Sequence, residues 1–332
     1  MTHEVGEQGL PTLSAFAHVL HSKKECHRAL RDRTLSSNPG GYWSASANLL
    51  MMDGPRHDTV RAEVRKIIAR LDPLPGAVLE EIAAVVRPLR DRATIDLVDD
   101  FAKRVSSTVV QALMGLREPL SDELLDTISR TAANLDVWTT GSAPENPSMF
   151  EVVRFFMRAE AVESGGLALL RAAAAQGRLT EEEFLVTPVV LAHAAYENSM
   201  NLLAVGGLRV ATDPEERRRT AGSADGVREV GRTVNDVCPT RYVIRRATSD
   251  VVLDGRLVRA GERLAVPLDG PVELPFGTGR HACPGARLAL AEVAFGLRTL
   301  AEVISGDWAP VEIAWKDHPI FHGLRRAVVA RT

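Results

Sequence analysis

Three glycines surround one cysteine in the segment PFGTGRHACPG, directly before a helical pattern. The glycines are Gly277, Gly279 and Gly285, and the cysteine is Cys283. Glycine allows unusual backbone dihedrals and close approach of the backbone to a flat ligand, so a ligand is expected against these residues. A thiolate just ahead of a helix N-terminus is stabilised by free N–H groups and the helix dipole. The segment therefore predicts that Cys283 is a metal ligand or a nucleophile.

Other roles for the cysteines fit the sequence less well. Cys26 and Cys238 are better interpreted as small buried apolar residues than as metal ligands or nucleophiles. A zinc site would need a second Cys or His pair, and no CxxC or HxxxH completes His281 and Cys283. A cysteine hydrolase would need a base that the sequence does not single out. Arg280 and His281 instead add hydrogen-bond donors suited to carboxylates.

The spacing of four residues in this loop resembles the heme-binding signature F-x-x-G-x-x-x-C-x-G of the cytochrome P-450 family. The matching residues are Phe276, Gly279, Cys283 and Gly285. The resemblance implies heme b (iron protoporphyrin IX) as cofactor and Cys283 as the axial iron ligand, a ligand that favours O–O cleavage. It also implies that Phe276 shields the sulfur and that His281 binds a heme propionate.

Two further segments resemble the same family. The residues DGPRHDTVR, numbers 53–61, are similar to its D-x-P-x-H-x-x-x-R segment, which implies that His57 and Arg61 clasp the heme propionates. A spacing of four puts both side chains on one helix face; without the cysteine loop, such a pair would be read as a solvated surface. In the predicted strand YVIRRAT, Arg245 aligns with a third propionate-binding residue, and Arg246 replaces it if the register shifts by one.

Glu229 and Arg232 match the short E-x-x-R pair of the family. The resemblance implies an ion pair that helps to hold the heme-binding core together. Alone the pattern carries little information, and its position before Pro239 and the strand YVIRRAT supports the match.

The residues AAYENS, numbers 194–199, resemble the A-G-x-[DE]-T-T segment of the family and imply catalytic roles for Tyr196, Glu197, Asn198 and Ser199. The first Thr, which in the family helps to deliver protons to dioxygen, is replaced by Asn198. An amide can hold a water molecule but is a poor proton relay. A carboxylate in so apolar a helix needs a buried partner or a wet cavity, and we expect Glu197 to face the cavity. Tyr196 is bulkier than the usual occupant.

Hydrophobic periodicity predicts a mainly α fold with a small β portion. The resemblance implies that this is the helical fold of the cytochrome P-450 family, as one domain over residues 1–332. Thr180 and Glu183 have the form of a capping box, and a β-hairpin unit and short terminal strands are also expected. The predicted helices run over one or two brief stretches before residue 31, then from near His57 to Pro73, 76–91, 97–114, 121–137, 148–176, 180 to about 210, and 286–304.

The chain departs from the family pattern in two places. Before Asp53 there is too little sequence for the usual first helix and first two strands, and only LDGPVELP lies between Pro267 and Phe276, where the family has its long meander segment. We expect these losses to trim the small sheet and to open the substrate side. Exposed apolar surface at a shortened edge would favour association, so a homodimer is one expectation.

Composition excludes several classes of partner. The net charge is −3, from 40 Lys and Arg against 43 Asp and Glu, so broad attraction to nucleic acid or to an anionic membrane is not expected. No window approaches a membrane span or a signal peptide. Three widely spaced cysteines argue against a secreted disulfide framework and favour the cytoplasm.

The resemblance implies oxidative tailoring of a small molecule in bacterial secondary metabolism, by hydroxylation, desaturation or oxidative coupling. A ferredoxin-type protein would supply electrons, and the substrate is either free or bound to a carrier. The alternative is a redox-neutral heme-dependent cyclase, isomerase or dehydratase, which the replacement by Asn198 favours. A non-catalytic scaffold that recruits a partner is a third hypothesis, and the retention of Cys283, His281 and His57 argues against it.

Overall fold

The computed structural model describes residues 18–39, 46–131, 147–223, 225–318 and 320–332, without the side chains of residues 232 and 233. Helices dominate it, as predicted. They are α1 (Lys23–Ala29), α2 (Gly54–Ile68), α3 (Gly76–Val86), α4 (Lys103–Met114), α5 (Asp122–Arg130), α6 (Pro147–Arg158), α7 (Gly166–Ala175), α8 (Glu181–Thr212), α9 (Pro214–Gly222), α10 (Gly226–Asp236) and α11 (Ala286–Val303). A 3₁₀ segment, Arg87–Asp91, extends α3, and a π-helical segment, Leu97–Ala102, precedes α4.

The strands of the described residues form three small sheets. They are β1 (His18–Val19), β2 (Leu35–Ser36), β3 (Thr94–Asp96), β4 (Tyr242–Ala247), β5 (Val251–Leu253), β6 (Arg256–Val258), β7 (Arg263–Pro267), β8 (Trp308–Trp315) and β9 (Leu324–Arg331). The sheet orders are β1-β7-β4-β2, β3-β9-β8 and β5-β6, and β1 runs parallel to β7 while the other pairs are antiparallel. The first sheet joins residues before Asp53 to the strand that carries Arg245.

Helix α8 crosses the middle of the fold. Its predicted capping box is present: the Glu183 N–H donates to Thr180 Oγ1 at 3.2 Å, and the Thr180 N–H donates to Glu183 Oε2 at 2.8 Å. Side chains on most faces of α8 are buried in the larger hydrophobic cluster, which extends from α2 to β9. A smaller cluster lies between α1 and the first sheet. The position of α8 makes it a wall for any internal site.

The prediction of one helix over 148–176 was wrong. The chain forms α6 and α7, and residues 159–165 between them turn away, with Val162 and Gly165 packed on Gly115 at the end of α4. Gly115 has φ +70°, and Gly165 is extended at φ −73° and ψ 160°. The close approach of the Gly115 and Gly165 backbones interrupts the predicted helix. Local hydrophobic periodicity cannot predict this interruption, because the contact joins distant parts of the chain.

Elsewhere the predicted bounds hold to within a few residues. The segment before residue 31 has one helix, α1, and the strand β1, while residues before 18 lie outside the described part. The end of the helix predicted over 121–137 also lies outside it, because 132–146 are not described. Between β7 and Phe276 the chain makes one 3₁₀ turn, Gly270–Val272.

We predict that Gly165→Ala lowers the free energy of unfolding by about 1–3 kcal/mol, because overpacking against backbone forces the chain to shift. A Cβ at this position would lie 2.7 Å from Gly115 Cα and 2.8 Å from Met114 O. The matched control is Gly76→Ala at the first turn of α3, where no atom lies within 4 Å of the added carbon. Urea unfolding of both variants measures the difference, and equal stability would contradict the packing account.

Candidate cofactor site

A cavity of about 330 Å³ lies between α8, strand β4 and the loop that carries Cys283. Its wall is mostly apolar, with polar side chains at a few points. Apolar wall residues include Leu49, Val64, Leu191, Leu202, Leu288 and Phe321. A mostly apolar cavity of this size with a few polar groups is typical of a site for a small ligand or cofactor.

The cysteine loop forms one side of this cavity. Its backbone closes on itself where the Cys283 N–H donates to Phe276 O at 2.8 Å, and Phe276 lines the cavity beside the sulfur. Gly277 and Gly279 have φ of +63° and +75°. A Cβ at Gly277 or Gly285 would meet no atom closer than 3.9 Å. The loop therefore offers a flat backbone surface beside the thiol.

The thiol of Cys283 is enclosed by protein, yet its surface is accessible from the cavity. Burial is the larger effect on its acidity and raises the pKa of the thiol. The Gly285 N–H and the charge of Arg61 act in the opposite sense and favour the thiolate. Coordination to a metal cation would supply the missing stabilisation of the thiolate.

Four basic side chains meet at the same side of the cavity. Arg61 of α2 donates to the carbonyl of Ala282 in the cysteine loop, and the rings of His57 and His281 lie 4.3 Å apart. The helix spacing predicted for His57 and Arg61 thus brings both to the loop. Arg245 of β4 also lines the cavity. Of the two registers considered for this strand, the structure therefore adopts the one that places Arg245, and not Arg246, at the site.

Arg245 is a buried cation whose hydrogen bond goes to a backbone carbonyl. Its side chain is 6% exposed, and its guanidinium donates to Ile244 O at 2.8 Å. Among the described side chains, no carboxylate forms an ion pair with it. Burial lowers the pKa of Arg245 to about 10, with the charge of Asp53 opposing this effect. A buried charge of this kind needs an anion, and a cofactor carboxylate would supply it.

Asp53 organises this corner, a role that sequence reasoning missed. Its carboxylate accepts from Ser36 Oγ at 2.6 Å, from the Ser37 N–H at 3.0 Å and from His281 Nε2 at 3.2 Å. Burial alone would raise the pKa of Asp53, but these hydrogen bonds outweigh it and lower the pKa to about 2. Burial lowers the pKa of His281 to about 4, so a neutral ring donates to a charged carboxylate at neutral pH. The sequence signal for this role of Asp53 was its position directly before α2.

These residues fit heme. The flat glycine surface would lie against the flat porphyrin ring. The thiol that faces the cavity would meet the iron, and the buried Arg245 would meet a propionate. Cys283 would ligate the iron, and Arg61, Arg245, His57 and His281 would surround the propionates. Unlike the basic cluster, the side of the cavity formed by α8 is mostly apolar, which suits a substrate.

The central helix contributes Asn198 and Ser199 to the cavity wall. Asn198 Oδ1 accepts from Thr240 Oγ1 at 2.9 Å, and its amide donates to Ala194 O at 3.1 Å. Asn198 therefore ties α8 to the segment before β4. Thr240, which sequence reasoning did not single out, is its partner.

Glu197 and Tyr196 do not lie in this wall, contrary to the expectation that Glu197 faces the cavity. The buried Glu197 carboxylate pairs with Lys316, accepts from Ser129 Oγ at 2.8 Å and accepts from Asn201 Nδ2 at 3.3 Å. Burial raises the pKa of Glu197, but the charge of Lys316 outweighs it and the pKa is lowered. The physical reason is that the ammonium of the half-buried Lys316 supplies the partner that a wet cavity would otherwise provide. Tyr196 is fully buried in the larger hydrophobic cluster.

A carboxyl that sequence reasoning missed does lie in the wall. Glu292 of α11 is 2% exposed, and its Oε2 accepts from Ser199 Oγ at 2.9 Å. Its position nine residues after Cys283 in an otherwise apolar helix segment was the available signal. The predicted pair Glu229 and Arg232 lies in α10, and the Arg232 side chain is outside the described residues, so their ion pair stays a prediction.

Comparison with known proteins agrees with this geometry. No model of a known protein family matches the chain. It is 27% identical over 322 residues to the cytochrome P-450 monooxygenase PikC of Streptomyces venezuelae, covering 84% of this chain and 74% of that protein. It is 26% identical over 289 residues to the 6-deoxyerythronolide B hydroxylase of Saccharopolyspora erythraea, covering 77% and 70%.

The fold is also that of solved structures. The crystal structure of P-450BioI in complex with an acyl carrier protein carrying hexadec-9Z-enoic acid superposes with a TM-score of 0.76 at 19% identity, covering 94% of this chain and 91% of that chain. A helical fold with a cysteine loop against a basic cluster is the arrangement expected of a heme-thiolate protein. The chain is thus similar in sequence and fold to bacterial cytochrome P-450 proteins, and the residues of its site fit the heme that this similarity implies. Among the described residues, no helix is long and apolar enough to cross a membrane.

We predict that Arg245→Leu weakens heme retention roughly ten- to hundredfold, the loss expected for one charge-assisted hydrogen bond. Arg246→Leu is the matched control, because the neighbouring Arg246 side chain donates to Asn38 O. Transfer of heme to excess apomyoglobin measures the dissociation rate. Equal rates for the two variants would contradict the assignment of Arg245 as a cofactor-binding residue.

We predict that Lys316→Met lowers the free energy of unfolding by about 2 kcal/mol or more, because it leaves Glu197 as a buried charge without its cation. Glu197→Gln in the same chain should restore part of that loss. The control is Lys66→Met, whose partner Glu63 is also bound by Arg178, and it should cost less than about 1 kcal/mol. If urea unfolding shows that Lys316→Met lowers the free energy of unfolding no more than Lys66→Met does, the ion pair of Lys316 with Glu197 does not stabilise the fold.

Proposed function

We propose that this protein is an oxidative tailoring enzyme that hydroxylates, desaturates or couples a small apolar molecule in bacterial secondary metabolism. The observation that carries the proposal is the apolar space that α8 and Phe321 form in the same cavity as Cys283. When bound, a thiolate-ligated heme supplies electron density that favours O–O bond cleavage. The chain's own contribution is to orient the cofactor through its basic cluster and to hold an apolar substrate against it.

The names of two relatives support the choice of reaction. PikC is named a monooxygenase, and the Saccharopolyspora relative is named a hydroxylase of 6-deoxyerythronolide B. The complex of P-450BioI holds a fatty acid on an acyl carrier protein, which supports a carrier-bound substrate as one form of the proposal. A ferredoxin-type electron donor, a homodimer and a cytoplasmic location belong to the same proposal, and the unpaired state of the three cysteines supports the last.

A redox-neutral cyclase, isomerase or dehydratase is the second candidate. Asn198 stands where the family pattern has Thr and is already hydrogen-bonded to Thr240 and to Ala194 O. Glu197, the acid of that pattern, is held by Lys316 outside the cavity wall. Both observations weaken the usual route for protons and favour chemistry that does not need dioxygen.

Dependence on electrons separates the two candidates. We predict that the heme-loaded protein consumes dioxygen when NADPH, a ferredoxin reductase and a ferredoxin are supplied, and that actinomycete lipophilic extracts yield products heavier by one oxygen. Cys283→Ala should lose the carbon monoxide difference band of the thiolate-ligated form and this activity together. Products formed at the same rate without the electron donor would establish the redox-neutral candidate instead, and mass spectrometry distinguishes the outcomes.

A further inference from the structure

His193 of α8 is a polar residue to which the family resemblance assigns no role. It is 7% exposed and lines the cavity on its apolar side, together with Leu191 and Phe321. Its ring packs edge-on against the ring of Phe321, with the two centroids 5.6 Å apart. His193 therefore places an imidazole among apolar side chains, in the wall of the space proposed for the substrate.

The contact at one ring nitrogen fixes where this imidazole carries its hydrogen. His193 Nδ1 lies 3.2 Å from the carbonyl oxygen of Ile128 in α5. Because a carbonyl oxygen only accepts hydrogen bonds, Nδ1 must donate, and a neutral ring then has a lone pair on Nε2. Nε2 is buried and has no hydrogen-bond partner among the described residues. A buried acceptor without a donor is unfavourable, so a ligand that supplies the donor is favoured at this point.

The environment of His193 keeps the ring neutral. Burial is the largest effect and lowers the pKa of His193. The carboxylate of Glu197 and the carbonyl of Ile128 act in the opposite sense, while the ammonium of Lys316 lowers the pKa further. The effects that raise the pKa are the smaller ones, so the ring carries a single hydrogen, on Nδ1. Nε2 is therefore an acceptor and not a donor.

We propose that His193 Nε2 is the hydrogen-bond acceptor that orients the substrate, and that the substrate is an apolar molecule carrying a hydroxyl or an N–H group. This inference rests on the proposed function and narrows its substrate class. Leu191 and Phe321 pack against the apolar part of the substrate, and its O–H or N–H group donates to Nε2. A molecule with only an ether or carbonyl oxygen at this point would bury a second acceptor against Nε2. His193 thus selects for donors partly by rejecting acceptors.

The first test reads the hydrogen on the ring and needs no turnover. Nuclear magnetic resonance of the heme-loaded protein with ¹⁵N-labelled histidine, in its diamagnetic ferrous carbon monoxide form, should show a ring with its hydrogen on Nδ1 and none on Nε2 at neutral pH. Loss of the signal in His193→Asn assigns it. Adding adamantanol should move the Nε2 resonance, whereas its methyl ether should not. A hydrogen on Nε2 in the ligand-free protein would overturn the proposal, because that nitrogen could not accept.

The second test compares matched apolar probes by isothermal titration calorimetry of the heme-loaded protein. One pair is adamantanol and its methyl ether, and the other is adamantanecarboxamide and its N,N-dimethyl derivative, so that only the first member of each pair has a donor. The parent should bind the donor of at least one pair about tenfold more tightly than its partner, as expected for one buried hydrogen bond. A preference within the first pair identifies a hydroxyl, and one within the second an N–H group. Equal binding within both pairs, or binding of no probe, contradicts the proposal.

Two substitutions separate ligand binding from support of the fold. His193→Asn keeps an amide N–H near the position of Nδ1, for the carbonyl of Ile128, and removes the acceptor. His193→Gln keeps an acceptor near the position of Nε2 and removes the bond to Ile128. The preference for donors should vanish in His193→Asn and persist in part in His193→Gln, with the heme content and Soret band of the parent in both.

The outcomes for His193 and for the oxidative function are separate. A preference that survives in His193→Asn would arise from probe size or from the iron, and the assignment of Nε2 would be wrong. A parent protein that prefers the donor probes but consumes no dioxygen when supplied with electrons would instead refute the oxidative proposal and leave the assignment of His193 intact.

Discussion

The contact between α2 and the cysteine loop is the constraint on which the rest of the site depends. Arg61 binds the carbonyl of Ala282, and Asp53 binds His281, across more than two hundred residues of chain. Asp53 also holds Ser36 and Ser37 beside β2, which pairs with β4. One carboxylate thus connects the loop, the first helix of the cavity wall and the sheet that carries Arg245. Loss of that connection would separate the thiol from the basic side chains that would surround a propionate.

The arrangement also explains why the apolar part of the cavity lies where it does. Because the loop and the basic cluster occupy one side, α8 and the turn between β8 and β9 form the other. That turn carries Phe321 into the wall and is fixed by two contacts, the ion pair of Lys316 with Glu197 and the bridge between Thr240 and Phe321. Glu197 therefore shapes the apolar side of the cavity by anchoring the turn that covers it, although its own side chain lies outside the cavity wall.

Local features of this fold could be predicted from the sequence. The capping box of α8, the spacing of His57 and Arg61, and the glycines around Cys283 depend on a few neighbouring residues, and each lies as expected. The contacts that set side-chain orientation could not be predicted, because they join distant segments. Lys316 and Glu197 are 119 residues apart, Ser199 and Glu292 are 93 apart, and Thr240 and Asn198 are 42 apart. The break between α6 and α7 has the same cause, since it depends on Gly115.

The two buried carboxyls show how environment, and not sequence motif, assigns chemical roles. Glu197 stands at the acidic position of the family pattern, but an ammonium, a hydroxyl and an amide hold it ionised, so it has no proton to give. Glu292 has only hydroxyl neighbours and keeps its proton. Ser199 lies on the same helix as Glu197, two residues further along, and therefore presents its hydroxyl to a different neighbour. Asn198 is likewise bound to Thr240 and to the carbonyl of Ala194, so both residues at the positions of the family's proton-delivery segment form contacts within the fold.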